Sequence, residues 1–117
     1  MNAITALYEL AKVPGIQVHQ NILIVDDEPH FRQAYSQLLA GDQRSISEAS
    51  TGQEAITQLK VGNIDLVILD LRLPDISGLE IMEWMTAHRI ETSVIVFSAD
   101  KSINSAIHAL RHRAFEF

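Results

Sequence analysis

Three places in the chain set acidic or hydroxyl side chains directly behind a short apolar run. Asp26-Asp27-Glu28 follows residues 22–25, Asp70 follows 66–69, and Ser98-Ala99-Asp100 follows 94–97. If each run is a strand of one parallel sheet, these groups meet at the carboxyl ends of the strands, where open α/β sheets form their sites. Carboxylates gathered at one edge repel one another and need a compensating cation. Oxygen ligands with no His or Cys among them select Mg2+ or a similar hard ion over zinc. Such an ion would neutralise the cluster and admit a phosphoryl group against one carboxylate. Asp26 and Asp27 also stand where acids favour the positive end of a following helix. Acids at two strand ends with a serine at a third make capping alone the poorer account.

The elements that must position these groups alternate along the chain. Residues 22–25, 66–69 and 94–97 are continuous β-branched and apolar runs, the mark of strands covered on both faces. Pro29 suits a first helical turn, and Phe31, Ala34, Tyr35 and Leu38 predict an apolar stripe that Gly41 ends. A weaker strand is expected over 45–49. Thr51 and Glu54 have capping-box spacing for a helix carrying Ala55, Ile56 and Leu59 and closed by Gly62. Ser77 and Glu80 repeat that spacing ahead of Leu79, Met82, Trp84 and Met85. Ser102 predicts the cap of a further helix with Ile103, Ala106, Ile107 and Leu110 on one face. Strands separated by helices imply a parallel sheet with right-handed crossovers, so the fold class is α/β. Upstream, Ala3, Ile4, Ala6, Leu7, Leu10 and Ala11 recur at helical spacing until Pro14-Gly15. Residues 1–20 are therefore expected to be a short helix and linker, and 21–117 one domain.

Composition narrows the function classes. A length of 117 residues fits a single domain, and 47% hydrophobic with 21% charged residues disfavours intrinsic disorder. Lys and Arg total 9 against 15 Asp and Glu, a formal charge of −6, which argues against non-specific binding to nucleic acid or an anionic membrane. The absence of cysteine excludes disulfides, thiolate zinc sites, iron–sulfur clusters and cysteine nucleophiles, and fits a reducing cytoplasm. No run approaches the ~20 apolar residues of a membrane helix. No basic residue precedes Lys12, as a secretory signal would require. His19, His30, His88, His108 and His112 share no ligand spacing and read as surface.

The stretches Ile22-Leu23-Ile24-Val25-Asp26-Asp27-Glu28-Pro29, Asp65-Leu66-Val67-Ile68-Leu69-Asp70-Leu71-Arg72-Leu73-Pro74-Asp75-Ile76-Ser77-Gly78 and Val94-Ile95-Val96-Phe97-Ser98-Ala99 have one more property. In type, order and spacing, they resemble the receiver domain of bacterial two-component response regulators over residues 21–117. The resemblance implies a flavodoxin-like open parallel sheet with helices on both faces. It implies that Asp70 accepts a phosphoryl group from a sensor histidine kinase or phosphotransfer protein. Asp26, Asp27, Asp70 and the backbone carbonyl of Arg72 would then hold Mg2+. Ser98 would be the switch hydroxyl and Phe117 the switch aromatic, while Pro74 and Gly78 shape the loop after Asp70. An output domain or effector would lie outside this chain.

Two departures accompany the resemblance. The family's lysine at the end of its fifth strand falls about three residues past Phe117, and Arg113 stands where the family usually has glycine. Residues 114–117 start like another strand, but the fifth strand and final helix are expected to be missing. Residues 94–97 would then form an open edge that favours a homo-oligomer. Two other functions compete. A phosphatase of the haloacid-dehalogenase type wants a second Asp two residues after its nucleophile, where Arg72 stands. A pseudo-receiver would act as an interaction module without productive phosphorylation.

Overall fold

The computed structural model describes residues 19–97 and 114–116. In chain order these form β1 (Gln20–Val25), α1 (Pro29–Leu39), β2 (Arg44–Ala49), α2 (Gly52–Val61), β3 (Leu66–Asp70), α3 (Gly78–Ala87), β4 (Ser93–Phe97) and β5 (Ala114–Glu116). All strands pair in parallel in one sheet of order β2-β1-β3-β4-β5. This is the flavodoxin-like arrangement expected from the sequence. The chain steps outward from β1 to β2 and then crosses back to β3, so the strand order reverses between β1 and β3. A crevice at that reversal is where such sheets take ligands.

The expectation of a missing fifth strand is corrected. Ala114, Phe115 and Glu116 pair in parallel with Val94, Ile95 and Val96, so β4 is an inner strand over those residues and not an open edge. The helices expected over 3–12 and behind Ser102, together with Arg113, lie outside the described residues.

Strands β1, β3 and β4 are buried on both faces, as their continuous apolar runs demand. Leu23, Val25, Val67, Leu69, Val94 and Val96 face one layer, against Ala55 and Leu59 of α2 and Ile81, Met82 and Met85 of α3. Ile22, Ile24, Leu66, Ile68 and Ile95 face the other, where Leu39 of α1 is buried among them. Each such side chain contributes roughly 1.5–3 kcal/mol on burial. The two faces draw on alternate residues of the same strands, which fixes register against one-residue slips.

Helix ends follow the sequence closely. Thr51 Oγ1 accepts from Glu54 N at 3.1 Å, and Glu54 Oε2 accepts from Ser50 N at 2.9 Å. Gly62, at φ +93°, ends α2 in a conformation only glycine adopts without strain. Ser77 Oγ accepts from Glu80 N at 3.2 Å. The face of α1 differs from expectation. Phe31 and Leu38 are 55% and 60% exposed, and Ala34 is exposed too. Tyr35 of the expected stripe does pack inward, alongside Arg32, Ser36 and Leu39. The cause lies at the strand end below: Arg32 Nη1 donates to Asp26 O at 2.7 Å, and holding that bond rotates the predicted stripe outward.

Candidate functional site

Asp26 is the first residue past β1, and Asp70 is the last of β3. Because Val25 pairs with Leu69 in the parallel register, the two aspartates emerge side by side. Asp27 completes the group. One carboxylate oxygen from each of Asp26, Asp27 and Asp70 lies within 4.8 Å of the other two. Asp26 is buried at 7% exposure, Asp27 is exposed and Asp70 is intermediate, so the cluster runs from the interior to solvent.

Local hydrogen bonds hold the carboxylates in place. Asp26 N donates to Ala49 O at 3.1 Å, and Asp26 Oδ1 accepts from Glu28 N at 2.9 Å. Asp70 Oδ1 accepts from Arg72 N at 2.9 Å. The helix-capping account of these acids fails on geometry: the N-cap of α1 is Glu28, whose Oε1 accepts from His30 N at 3.3 Å. Asp26 and Asp27 are left with oxygens for another purpose.

Electrostatics support the same conclusion. Burial raises the Asp26 carboxyl above its ordinary range, the Glu28 amide pulls it back, and the charges of Asp70 and Asp27 raise it further. Burial likewise raises Asp70, opposed by its Arg72 amide bond and reinforced by Asp27. The phenol of Tyr35 is raised by burial and then by Asp26 and Asp70. A phenol on the neighbouring helix thus registers the same negative field. Oxygen donors alone, gathered around a shared point and carrying unrelieved negative charge, fit a hard divalent cation such as Mg2+.

Among the site residues expected from the sequence, Asp26, Asp27 and Asp70 are brought together. Arg72 sits two residues beyond Asp70 at the start of the β3–α3 loop, and its amide is already engaged with that carboxylate. Gly78 closes the loop: its N donates to Leu71 O at 3.1 Å, and a Cβ there would come within 2.8 Å of Leu71 Cα and 2.9 Å of Asp70 O. Ser98 and Phe117 lie outside the described residues. Sequence reasoning missed Arg32, which ties Asp26 O to Glu48 Oε1 of β2 through a 3.2 Å contact and slightly offsets the rise of the Asp26 carboxyl. Its position one turn into the helix after the acidic pair was the available signal.

Comparison with known proteins agrees with this geometry. Residues 22–117 match the model of the response regulator receiver domain. The response regulator protein PilR of Pseudomonas aeruginosa is 36% identical over 98 residues, covering 84% of this chain and 22% of PilR. The nitrate/nitrite response regulator NarL of Escherichia coli is 32% identical over 95 residues, covering 80% of this chain and 44% of NarL. The chain thus spans about a fifth to under half of these relatives. Among solved structures, the response regulator TrrA of Thermotoga maritima, crystallised with Mg2+ and BeF, superposes with a TM-score of 0.73 at 32% identity, covering 83% of this chain and 84% of that one. The receiver domain of a LuxO repressor protein from Vibrio parahaemolyticus gives 0.75 at 27% identity, covering 85% and 78%. Receiver domains are signalling modules, and among the described residues no helix is long and apolar enough to cross a membrane. Sheet order, acidic crevice and family match together make this chain a member of the response regulator receiver domain family.

Proposed function

We propose that this chain is a phosphorylation-controlled switch in which Asp70 receives a phosphoryl group from the phosphohistidine of a sensor kinase or phosphotransfer protein. The carrying observation is the convergence of Asp26, Asp27 and Asp70 within 4.8 Å at two adjoining strand ends. Asp26, Asp27, Asp70 and the Arg72 carbonyl would hold Mg2+, and TrrA with its bound Mg2+ and BeF supports that assignment by analogy. Bound there, the ion supplies charge neutralisation for the incoming phosphoryl oxygens.

The chain's own residues do the rest. A free Asp70 carboxylate oxygen attacks phosphorus, the new O–P bond forms an acyl phosphate, and the breaking P–N bond leaves its electron pair on the imidazole. The Arg72 amide, bonded to Asp70 Oδ1, orients the carboxylate so that its other oxygen faces the crevice. The charge of Arg32 offsets a small part of the rise that burial gives the Asp26 carboxyl. Ser98 is assigned the hydroxyl that answers phosphorylation, and Phe117 the aromatic that moves with it. The regulatory proteins to which this chain is similar are several times its length, which supports an output region beyond these residues. A reducing cytoplasm suits the cysteine-free sequence. With β5 paired along β4, the open-edge argument for self-association no longer holds.

Incubation with acetyl phosphate and Mg2+, followed by intact mass measurement, tests the central step. The wild type should gain one phosphoryl group and Asp70→Asn none. A folded, Mg2+-binding wild type that gains nothing overturns the proposal.

A further inference from the structure

The loop from Asp70 to α3 is fastened at both ends, and the far fastening comes from an element with no part in the carboxylate cluster. At the near end, Asp70 Oδ1 takes the Arg72 amide and Leu71 O takes the Gly78 amide. At the far end, both carboxylate oxygens of Asp75 are occupied. Oδ1 accepts from Gly52 N and Oδ2 from Gln53 N, each at 2.8 Å. These donors are the first amides of α2, which no carbonyl of their own helix can satisfy. Ile76 lies in the space that a side chain at position 52 would need: a Cβ there would clash with Ile76 Cγ1. Residues 72–74 are therefore a short bridge between two fixed points, and the Arg72 carbonyl lies on it.

We infer that Asp75 is a positioning residue for the metal centre, anchoring the β3–α3 loop to the start of α2 so that the Arg72 carbonyl is held toward the carboxylates. The inference presupposes the Mg2+ site proposed above. Its physical basis is that a backbone ligand has no rotamer to adjust and goes where its loop goes. A ligand on a three-residue bridge is accurate only if both ends are held. Asp75 is suited to the task because the positive end of a helix favours an ionised acceptor there. The Gly52 and Gln53 amides hold its carboxyl below the ordinary range. The α2 turn it grips is itself secured by Thr51 and Glu54. Gly52 has a reason beyond the helix: it leaves Ile76 room to lie flat across the first turn.

The test is an amide NMR titration with MgCl2 of the wild type, Asp75→Ala, Asp75→Asn and Gly52→Ala. Asp75→Ala should bind Mg2+ about tenfold more weakly, as loss of an outer partner of a metal site does. Asp75→Asn, which keeps one carbonyl acceptor, should fall between the two. Gly52→Ala attacks the contact from the α2 side by displacing Ile76, and should weaken binding in the same direction. In the wild type, saturation with Mg2+ should move the Gly52 and Gln53 amide resonances, a readout independent of whether any variant folds. A purely structural Asp75 would lower stability and leave the Mg2+ affinity of the folded protein within about twofold of wild type. That result, or Gly52 and Gln53 amides indifferent to Mg2+, overturns the inference while leaving the metal site intact. A wild type that takes up no Mg2+ overturns the site itself.

Discussion

Asp70→Asn should make the metal-free protein more stable. In the wild type, Asp70 shares a 4.8 Å neighbourhood with Asp26 and Asp27. At that separation two unit charges repel by about 0.9 kcal/mol in bulk water and about 3.5 kcal/mol at an effective dielectric constant of 20. Asp27 is exposed and Asp70 only partly buried, so solvent screening places each pair near the lower figure. Asparagine keeps an Oδ1 to accept the Arg72 amide but loses the assistance of charge, a cost of about 0.5–1 kcal/mol. Relief of both pairs less this cost leaves a net gain of about 1 kcal/mol. The assay is urea denaturation in EDTA at neutral pH and low salt. The midpoint should rise with an unchanged slope. Adding Mg2+ should stabilise the wild type more than the variant, because mass action rewards only the state that binds. The pH dependence has a definite sign. Asp26 and Asp70 titrate above 3.8 in the folded protein, so the folded state binds protons more tightly than the unfolded chain. Metal-free stability from these two groups therefore falls as pH rises from about 3.8 through their raised values, and Asp70→Asn should flatten that fall. An asparagine variant less stable than wild type in EDTA would refute the electrostatic reasoning.

Three further outcomes follow from local geometry. Gly78→Ala forces a Cβ to within 2.9 Å of backbone at Leu71 and Asp70, and should cost about 3 kcal/mol by urea midpoint. Thr51→Ala removes the acceptor of the Glu54 amide and should cost about 1 kcal/mol in the same assay, with Thr51→Ser restoring most of it. Ser36 Oγ is buried with no hydrogen-bond partner, so Ser36→Ala should be neutral or stabilise by up to about 1 kcal/mol, read as thermal midpoint.

How much of this was legible in the sequence depends on the range of the interaction. Residues 22–25, 66–69 and 94–97 declared themselves as buried strands because both faces of a parallel sheet demand apolar side chains. That in turn placed Asp26 and Asp70 at one edge before any coordinates. The caps at Thr51 and Ser77 involve residues three apart and were equally readable. The orientation of α1 was not. Hydrophobicity alone pointed Phe31 and Leu38 inward, whereas Arg32 faces the sheet to reach the Asp26 carbonyl. A polar side chain satisfying a strand end outweighed the apolar stripe, and no periodicity encodes that choice. The Asp75 contacts with Gly52 and Gln53 span 23 and 22 residues and depend on two loops meeting, which local pattern cannot foresee. Residues 114–117 start like a strand, yet a fifth strand was expected to be missing; its three residues pair with β4 through backbone groups alone.

The division of labour between the two sides of the sheet gives the protein a built-in spectroscopic partition. Isoleucine supplies nearly every strand side chain on the α1 side, at 22, 24, 68 and 95, with Ile46 at its margin. Valine supplies 25, 67, 94 and 96 on the opposite side. The δ1 methyls of these strand isoleucines would therefore watch one layer of the interior from all four longer strands at once, while the Ile81 methyl of α3 reports from the other. The strand valine methyls would watch the layer beneath α2 and α3, so a change propagating from Asp70 could be followed into each layer through its assigned strand methyls.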